Sequence, residues 1–256
     1  MTFPIRSAII LAAGQGIRLG EHGRNGPKAL LEVGGSTLLS RSLQNLAGAG
    51  ITRVFLVTGH KAEAFENLEV PQGLQVEKLR NPDFDDFGSL LSLVVALREV
   101  GEPCLILDGD IIYEPRALRA GLENQIDNVM ILSSPTGSGD EYYAWTDESS
   151  RLVFQSKQVG ALAHTPMGES VGILKCGSAL RLGILAVAET MLKNPALADY
   201  ELAVCAAGQT HPIVCVRVEG LLWAEIDDEK MLAHARDVIW PLIAEAENRF
   251  SGLVSA

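Results

Sequence analysis

Two cations flank a small-residue loop near the start of the chain. Leu11-Ala12-Ala13-Gly14-Gln15-Gly16-Ile17-Arg18-Leu19 is followed by Pro27-Lys28-Ala29-Leu30. The small side chains of Ala12, Ala13, Gly14 and Gly16 let the backbone approach a ligand, and the N–H groups of such a loop cradle phosphates. Arg18 offers a planar fork and Lys28 a point charge. Together they suit a triphosphate, whose oxygens gather charge during transfer. The loop is not a dinucleotide fingerprint, because the next glycine is Gly20, and no Gly-Lys-Ser/Thr makes it a Walker A loop.

Carboxylates form the second set. Asp108-Gly109-Asp110 closes the apolar run Leu105-Ile106-Leu107. Asp110 is a candidate Mg²⁺ ligand, since phosphoryl chemistry uses a hard cation held by oxygen. Asp108 is placed with the nucleotide-binding residues. Far along the chain, Trp223-Ala224-Glu225-Ile226-Asp227-Asp228 is a polar cluster before a helix, where Asp228 and Glu229 read as capping and first-turn residues. His60, His164, His211 and His234 are isolated, and no Ser-His-Asp set is evident.

Elements that must position these groups can be read from hydrophobic period. Ser7–Ala13 is a continuous apolar run, a strand covered on both faces, and Gly14–Pro27 is a loop. Ser36–Ala49 is a helix with Ser36 or Thr37 as cap and Gly50 as stop. Strands over Ile51–Thr58, Leu74–Leu79 and Pro103–Leu107 alternate with helices over Lys61–Leu68, Ser89–Val100 and Glu114–Gln125. This order predicts a doubly wound, mostly parallel α/β sheet. After Asn128 the character shifts to strands at Val129–Ser134, Glu141–Thr146, Leu152–Ser156 and Gly168–Lys175, a small β-rich elaboration. Helices over Ala179–Leu192 and Tyr200–Ala206, a strand over His211–Val218 and a helix over Ile226–Ile239 follow. One domain over residues 1–240 is expected, with a nucleotide-binding half to 128, an acceptor-binding half over 129–240 and a tail over 241–256.

Composition narrows the partners. Lys+Arg 21 against Asp+Glu 32 leaves a formal charge of −11, which repels nucleic acid, and 5% aromatic residues are too few for a base-stacking platform. Cys104, Cys176, Cys205 and Cys215 form no CxxC pair and read as reduced, mostly buried thiols. Ser7–Ala13 is too short for a signal peptide, and no apolar stretch reaches membrane-spanning length. A soluble cytoplasmic protein is expected, and a homodimer is compatible with this reading.

LAAGQGIRLG followed by PKALLEVGG resembles the opening of the sugar-nucleotidyltransferase superfamily, whose pattern is LAAGxGxRL and then PKxLxxxxGxP. Ser36 stands where that family usually has proline. The resemblance spans about residues 6 to 235. It implies that Leu11 through Arg18 wrap the nucleotide, that Arg18 and Lys28 stabilise the transition state, and that Asp227 joins Asp110 on the metal. Asn81 with Gly88-Ser89-Leu90 resembles the small phosphocholine and phosphonate cytidylyltransferases, although Asp86 replaces a frequent asparagine. That implies a cytosine contact by Asn81 and Ser89. Gln155-Ser156-Lys157, Glu169-Ser170-Val171-Gly172-Ile173 and Asp199-Tyr200-Glu201-Leu202-Ala203 resemble later segments of the same branch. They imply that Lys157 and Glu169 face the acceptor. Tyr142, Tyr143 and Tyr200, with Glu141, Glu169 and Glu201, are candidates for an aromatic and acidic pocket suited to a cationic amine.

The implied reaction is Mg²⁺-dependent transfer of CMP from CTP to a small phosphonate or alcohol phosphate, such as phosphocholine or 2-aminoethylphosphonate, with release of pyrophosphate. The acceptor oxyanion is already ionised, so no protein nucleophile is required. Three rivals stay open: the same fold using UTP or GTP with a sugar phosphate or cofactor precursor, a non-catalytic relative, and an ordinary phosphate-binding α/β protein.

Overall fold

A computed structural model describes residues 5–20, 23, 26–194 and 199–254, without the side chains of 250–254. Residues 21, 22, 24 and 25 of the predicted loop lie outside the described residues. Strands β1 Ser7–Ala12, β4 Arg53–Thr58, β5 Gln75–Arg80 and β6 Cys104–Asp108 run parallel, in the order β6-β1-β4-β5. Short β2 Glu32–Val33 and β3 Ser36–Thr37 form a separate hairpin. Strand β11 Gly168–Cys176 joins β6 antiparallel and carries β8 Val129–Ser133, β9 Tyr143–Thr146 and β10 Leu152–Ser156 into one nine-stranded sheet, with β12 Val214–Arg217 beside β8. The β-rich second half thus extends the first half's sheet.

Alternation along the central strands builds a core on each face. Ile9, Phe55 and Val57 pack against α2 Gly88–Val100, α4 Ser178–Met191 and α5 Tyr200–Gly208. Ala8, Ile10, Val54 and Leu56 pack against α1 Leu38–Gly48 and α3 Arg116–Leu122. Helices on both faces make the sheet doubly wound, as the alternating elements predicted. Thr37 caps α1 by accepting from Ser40 N at 3.0 Å, a contact worth about 1 kcal/mol.

Several boundaries differ from the sequence reading. The helix expected over Lys61–Leu68 is a single tight turn at Ala62–Phe65, anchored by buried Phe65. The helix expected to begin at Ile226 begins at Glu229. Before it, β13 Trp223–Glu225 pairs with β7 Ile111–Tyr113, and Asp228 caps α6 Glu229–His234 through the amides of Lys230 and Met231. Beyond α6 the chain widens into a five-residue π turn, Ala235–Ile239, and continues as α7 Trp240–Val254. Pro241 has no N–H for the carbonyl four residues back, which accounts for the wider turn. The segment assigned to a tail is therefore helical to Val254, and its Ile243 is buried with Leu19, Leu38 and Ile226.

Candidate active site

Strand register assembles the site at the carboxyl edge of the parallel strands. Leu11 pairs with Asp108, and Gly109 N donates to Leu11 O at 2.9 Å, so the loop and the two aspartates start side by side. Gly16 has φ +63°, and a Cβ there would lie 2.8 Å from Lys28 Cγ. The left-handed turn and the close approach of Lys28 both require glycine. Beyond it, Ile17–Leu19 is a tight turn whose buried Leu19 anchors Arg18 at the surface. Lys28 opens a second such turn, Lys28–Leu30, pinned by buried Ala29.

A second ladder brings in the distant carboxylates. Glu225 pairs with Ile111, and Ile226 N donates to Asp110 O at 3.0 Å. The carboxylates of Asp110, Glu225 and Asp227 each place an oxygen within 4.8 Å of the others. Lys28 Nζ lies 2.9 Å from Asp110 Oδ2 and also donates to Asp227 Oδ1. Arg18 Nη2 lies 2.9 Å from Asp227 Oδ2 and 2.6 Å from Asp140 Oδ2. Lys157 Nζ binds the other Asp140 oxygen at 2.8 Å.

Crowded acids set the electrostatics. Burial, then Asp110 and Asp227, push the Glu225 carboxyl up to about 10. Burial and Asp110 also raise Asp108. Burial works against the Lys28 ammonium, but Asp110 and Asp227 more than reverse it and raise its pKa. Burial opposes the Asp140 anion too, yet its bonds from Lys157 and Arg18 hold its pKa down to about 2. Three hard carboxylates in mutual reach, one of them driven toward its neutral form by burial and by its neighbours, fit a divalent cation. Glu225 is absent from the sequence-derived metal set. Its signal is position: it lies two residues before Asp227, at the end of a strand.

A cavity of about 290 Å³ next to the loop is lined by Leu11, Ala13, Gly14, Ser89, Ser92 and Asp108, among others. Ala12 lines a smaller neighbouring space with Lys28, Gly109 and Asp110. Ser89 Oγ accepts from Tyr200 N at 2.9 Å. Asn81 is elsewhere. It is buried, donates to Ser92 Oγ at 3.0 Å and accepts from Asp83 N at 3.1 Å. Its carboxamide supports Ser92, a wall residue the sequence reading did not single out.

On the other side of Asp108 lies a chamber of about 50 Å³ lined by Asp140, Tyr142, Lys157, Tyr200, Glu201 and Glu225, among others. Tyr200 Oη donates to Asp108 Oδ2 at 3.0 Å, and Lys157 Nζ stands 5.8 Å from the centre of the Tyr142 ring. Burial pushes Glu201 up to about 7. Glu169 is not in this chamber. It borders a neighbouring cleft of about 630 Å³ and accepts from Thr136 N at 2.6 Å and Thr136 Oγ1 at 3.1 Å. Asp140, which ties Arg18 to Lys157, was not picked out from the sequence.

The chain is 29% identical over 234 residues to CMP-5'-(3-aminopropyl)phosphonate synthase of Streptomyces rubellomurinus, covering 88% of this chain and 37% of that protein. It is 31% identical over 106 residues to choline-phosphate cytidylyltransferase of Haemophilus influenzae, covering 41% of this chain and 44% of that one. The chain thus spans roughly a third to a half of the curated relatives it matches. Among solved structures, CTP:phosphocholine cytidylyltransferase from Streptococcus pneumoniae superposes with a TM-score of 0.75 at 17% identity, covering 92% of this chain and 99% of that one. The inositol-1-phosphate CTP transferase from T. maritima gives 0.73 at 17% identity, covering 93% and 99%. These two share the fold. Residues 8–237 match a single family along nearly their whole length, and the chain belongs to it: the MobA-like NTP transferase domain family.

Proposed function

We propose that the chain is a cytidylyltransferase, transferring CMP from CTP to a small phosphonate or alcohol phosphate and releasing pyrophosphate. The observation that carries this reading is the meeting of Lys28 with Asp110 and Asp227 beside the glycine-rich loop. The loop amides and Arg18 receive the triphosphate. Lys28 neutralises charge on the oxygens of the reacting phosphoryl group and holds the two aspartates in register. Asp110, Glu225 and Asp227 would hold the divalent cation, which supplies Lewis-acid charge stabilisation when bound. Ser89 and Ser92 present hydroxyls to the base. Tyr142, Lys157, Tyr200 and Glu201 receive the acceptor, and the small chamber favours a compact one. Similarity to proteins named for aminopropylphosphonate and choline phosphate supports CTP and that acceptor class.

Pyrophosphate release tests the reading. CTP, UTP, GTP, ATP and dTTP are crossed with 2-aminoethylphosphonate, phosphocholine, inositol phosphate and glucose 1-phosphate in the presence of Mg²⁺. Release confined to CTP with a small phosphonate or alcohol phosphate is expected. Release with a purine nucleotide or with glucose 1-phosphate would overturn the assignment.

A further inference from the structure

Gln155 lies on β10 and is 2% exposed, yet neither its Nε2 nor its Oε1 has a hydrogen-bond partner among the described residues. A buried carboxamide with both ends unpaired is uncommon in a native interior and calls for a ligand or water. Gln155 lines a cavity of about 10 Å³ together with Ser170, Tyr200 and Glu201. Those three residues also line the 50 Å³ chamber. The small cavity therefore adjoins the chamber across these three residues. Its other walls are apolar, from Met130, Ile173, Leu174 and Val204.

We propose that Gln155 and Glu201 form the inner end of the acceptor site and select an acceptor that ends in a primary amine. This rests on the acceptor assignment above. An –NH₃⁺ group brings three N–H donors and a charge, which the Gln155 Oε1 and the Glu201 carboxylate accept. A trimethylammonium has no N–H to give and is wider than a space of one water-sized group. Burial raises Glu201 to about 7, more than a backbone hydrogen bond and Lys157 offset, so an incoming ammonium adds counter-charge beside the carboxylate.

Calorimetric binding to the whole chain tests this with two matched pairs. One pair is 2-aminoethylphosphonate and ethylphosphonate, and the other is phosphoethanolamine and phosphocholine. The wild type is expected to favour the primary amine about tenfold or more in each pair, the scale of a hydrogen bond to a charged group. Gln155→Leu is expected to remove most of that preference and leave ethylphosphonate affinity within about twofold. This variant replaces two unpaired polar atoms with apolar ones, so its melting temperature should hold or rise. Equal weakening of all four ligands, preference for phosphocholine, or no binding by any of them would overturn the proposal. Pyrophosphate release measured in parallel separates the two readings. Amine-selective binding without CTP turnover leaves this site standing and sinks the cytidylyltransferase assignment.

Discussion

Arg18 and Asp140 stand 122 residues apart in sequence and share an ion pair of 2.6 Å. Asp140 is gripped from its other oxygen by Lys157, so one carboxylate on the wall of the acceptor chamber occupies both Lys157, which shares that wall, and Arg18. Its depressed pKa keeps it charged at every working pH. A phosphonate or phosphate in the chamber must compete with it for Lys157. Asp140→Asn keeps the shape and removes the charge. Binding of 2-aminoethylphosphonate, read by calorimetry, should tighten by about three- to tenfold, modest because Lys157 is half solvent-exposed. Weaker binding would show that Asp140 serves to aim the two cations.

Divalent-cation binding should be visible without any turnover. A cation held by Asp110, Glu225 and Asp227 stabilises only the folded chain, so millimolar Mg²⁺ should raise the melting temperature. Asp110→Asn and Asp227→Asn should each abolish that rise, and Glu225→Gln should reduce it. An undiminished rise in any variant removes that residue from the cation site.

Gly172 is expected to be intolerant of a side chain for two separate reasons. Its φ of +72° disfavours any residue with a Cβ, and that Cβ would lie 2.2 Å from Asp108 Oδ2. Register explains the contact, because Ile173 pairs with Leu107 and Gly172 follows opposite Asp108. Gly172→Ala should lose about 1–3 kcal/mol in urea unfolding, the range for backbone strain. It should also disturb the Asp108–Tyr200 bond, seen as a change in tyrosine absorbance.

Contiguous features were legible in the sequence. The loop from Leu11 to Arg18, the strand before it and the Asp108–Asp110 turn are local patterns, and the structure places them at one sheet edge. Lys28, Asp110 and Asp227, each singled out in the sequence, meet in the structure through the two ion pairs of Lys28. Partners set by long-range pairing were not legible. Glu225 reaches Asp110 only through the β7–β13 ladder, and Asp140 sits in a loop whose only sequence signal is turn composition. Asn81, expected at the base, turns inward in the structure and holds Ser92. The π turn before Pro241 extends a helix that hydrophobic period alone ends at Ile239.

Glu169 offers a pH test of the fold around the second-half cleft. Burial pushes its carboxyl up from 4.5 to about 7, against the two Thr136 bonds that favour the anion. The folded state therefore holds this proton more tightly than the unfolded chain. Its contribution to stability is fully present below about 4.5 and is lost as pH rises through about 7. Glu169→Gln carries no such proton. The wild-type melting temperature minus that of Glu169→Gln should therefore fall between pH 5 and pH 8 and level off above. Other raised acids, Glu201 and Glu225 among them, are common to both proteins and cancel in the difference. A flat difference would place the Glu169 carboxyl in its ordinary range, and one that grows with pH would place it below that range, with the Thr136 bonds outweighing burial.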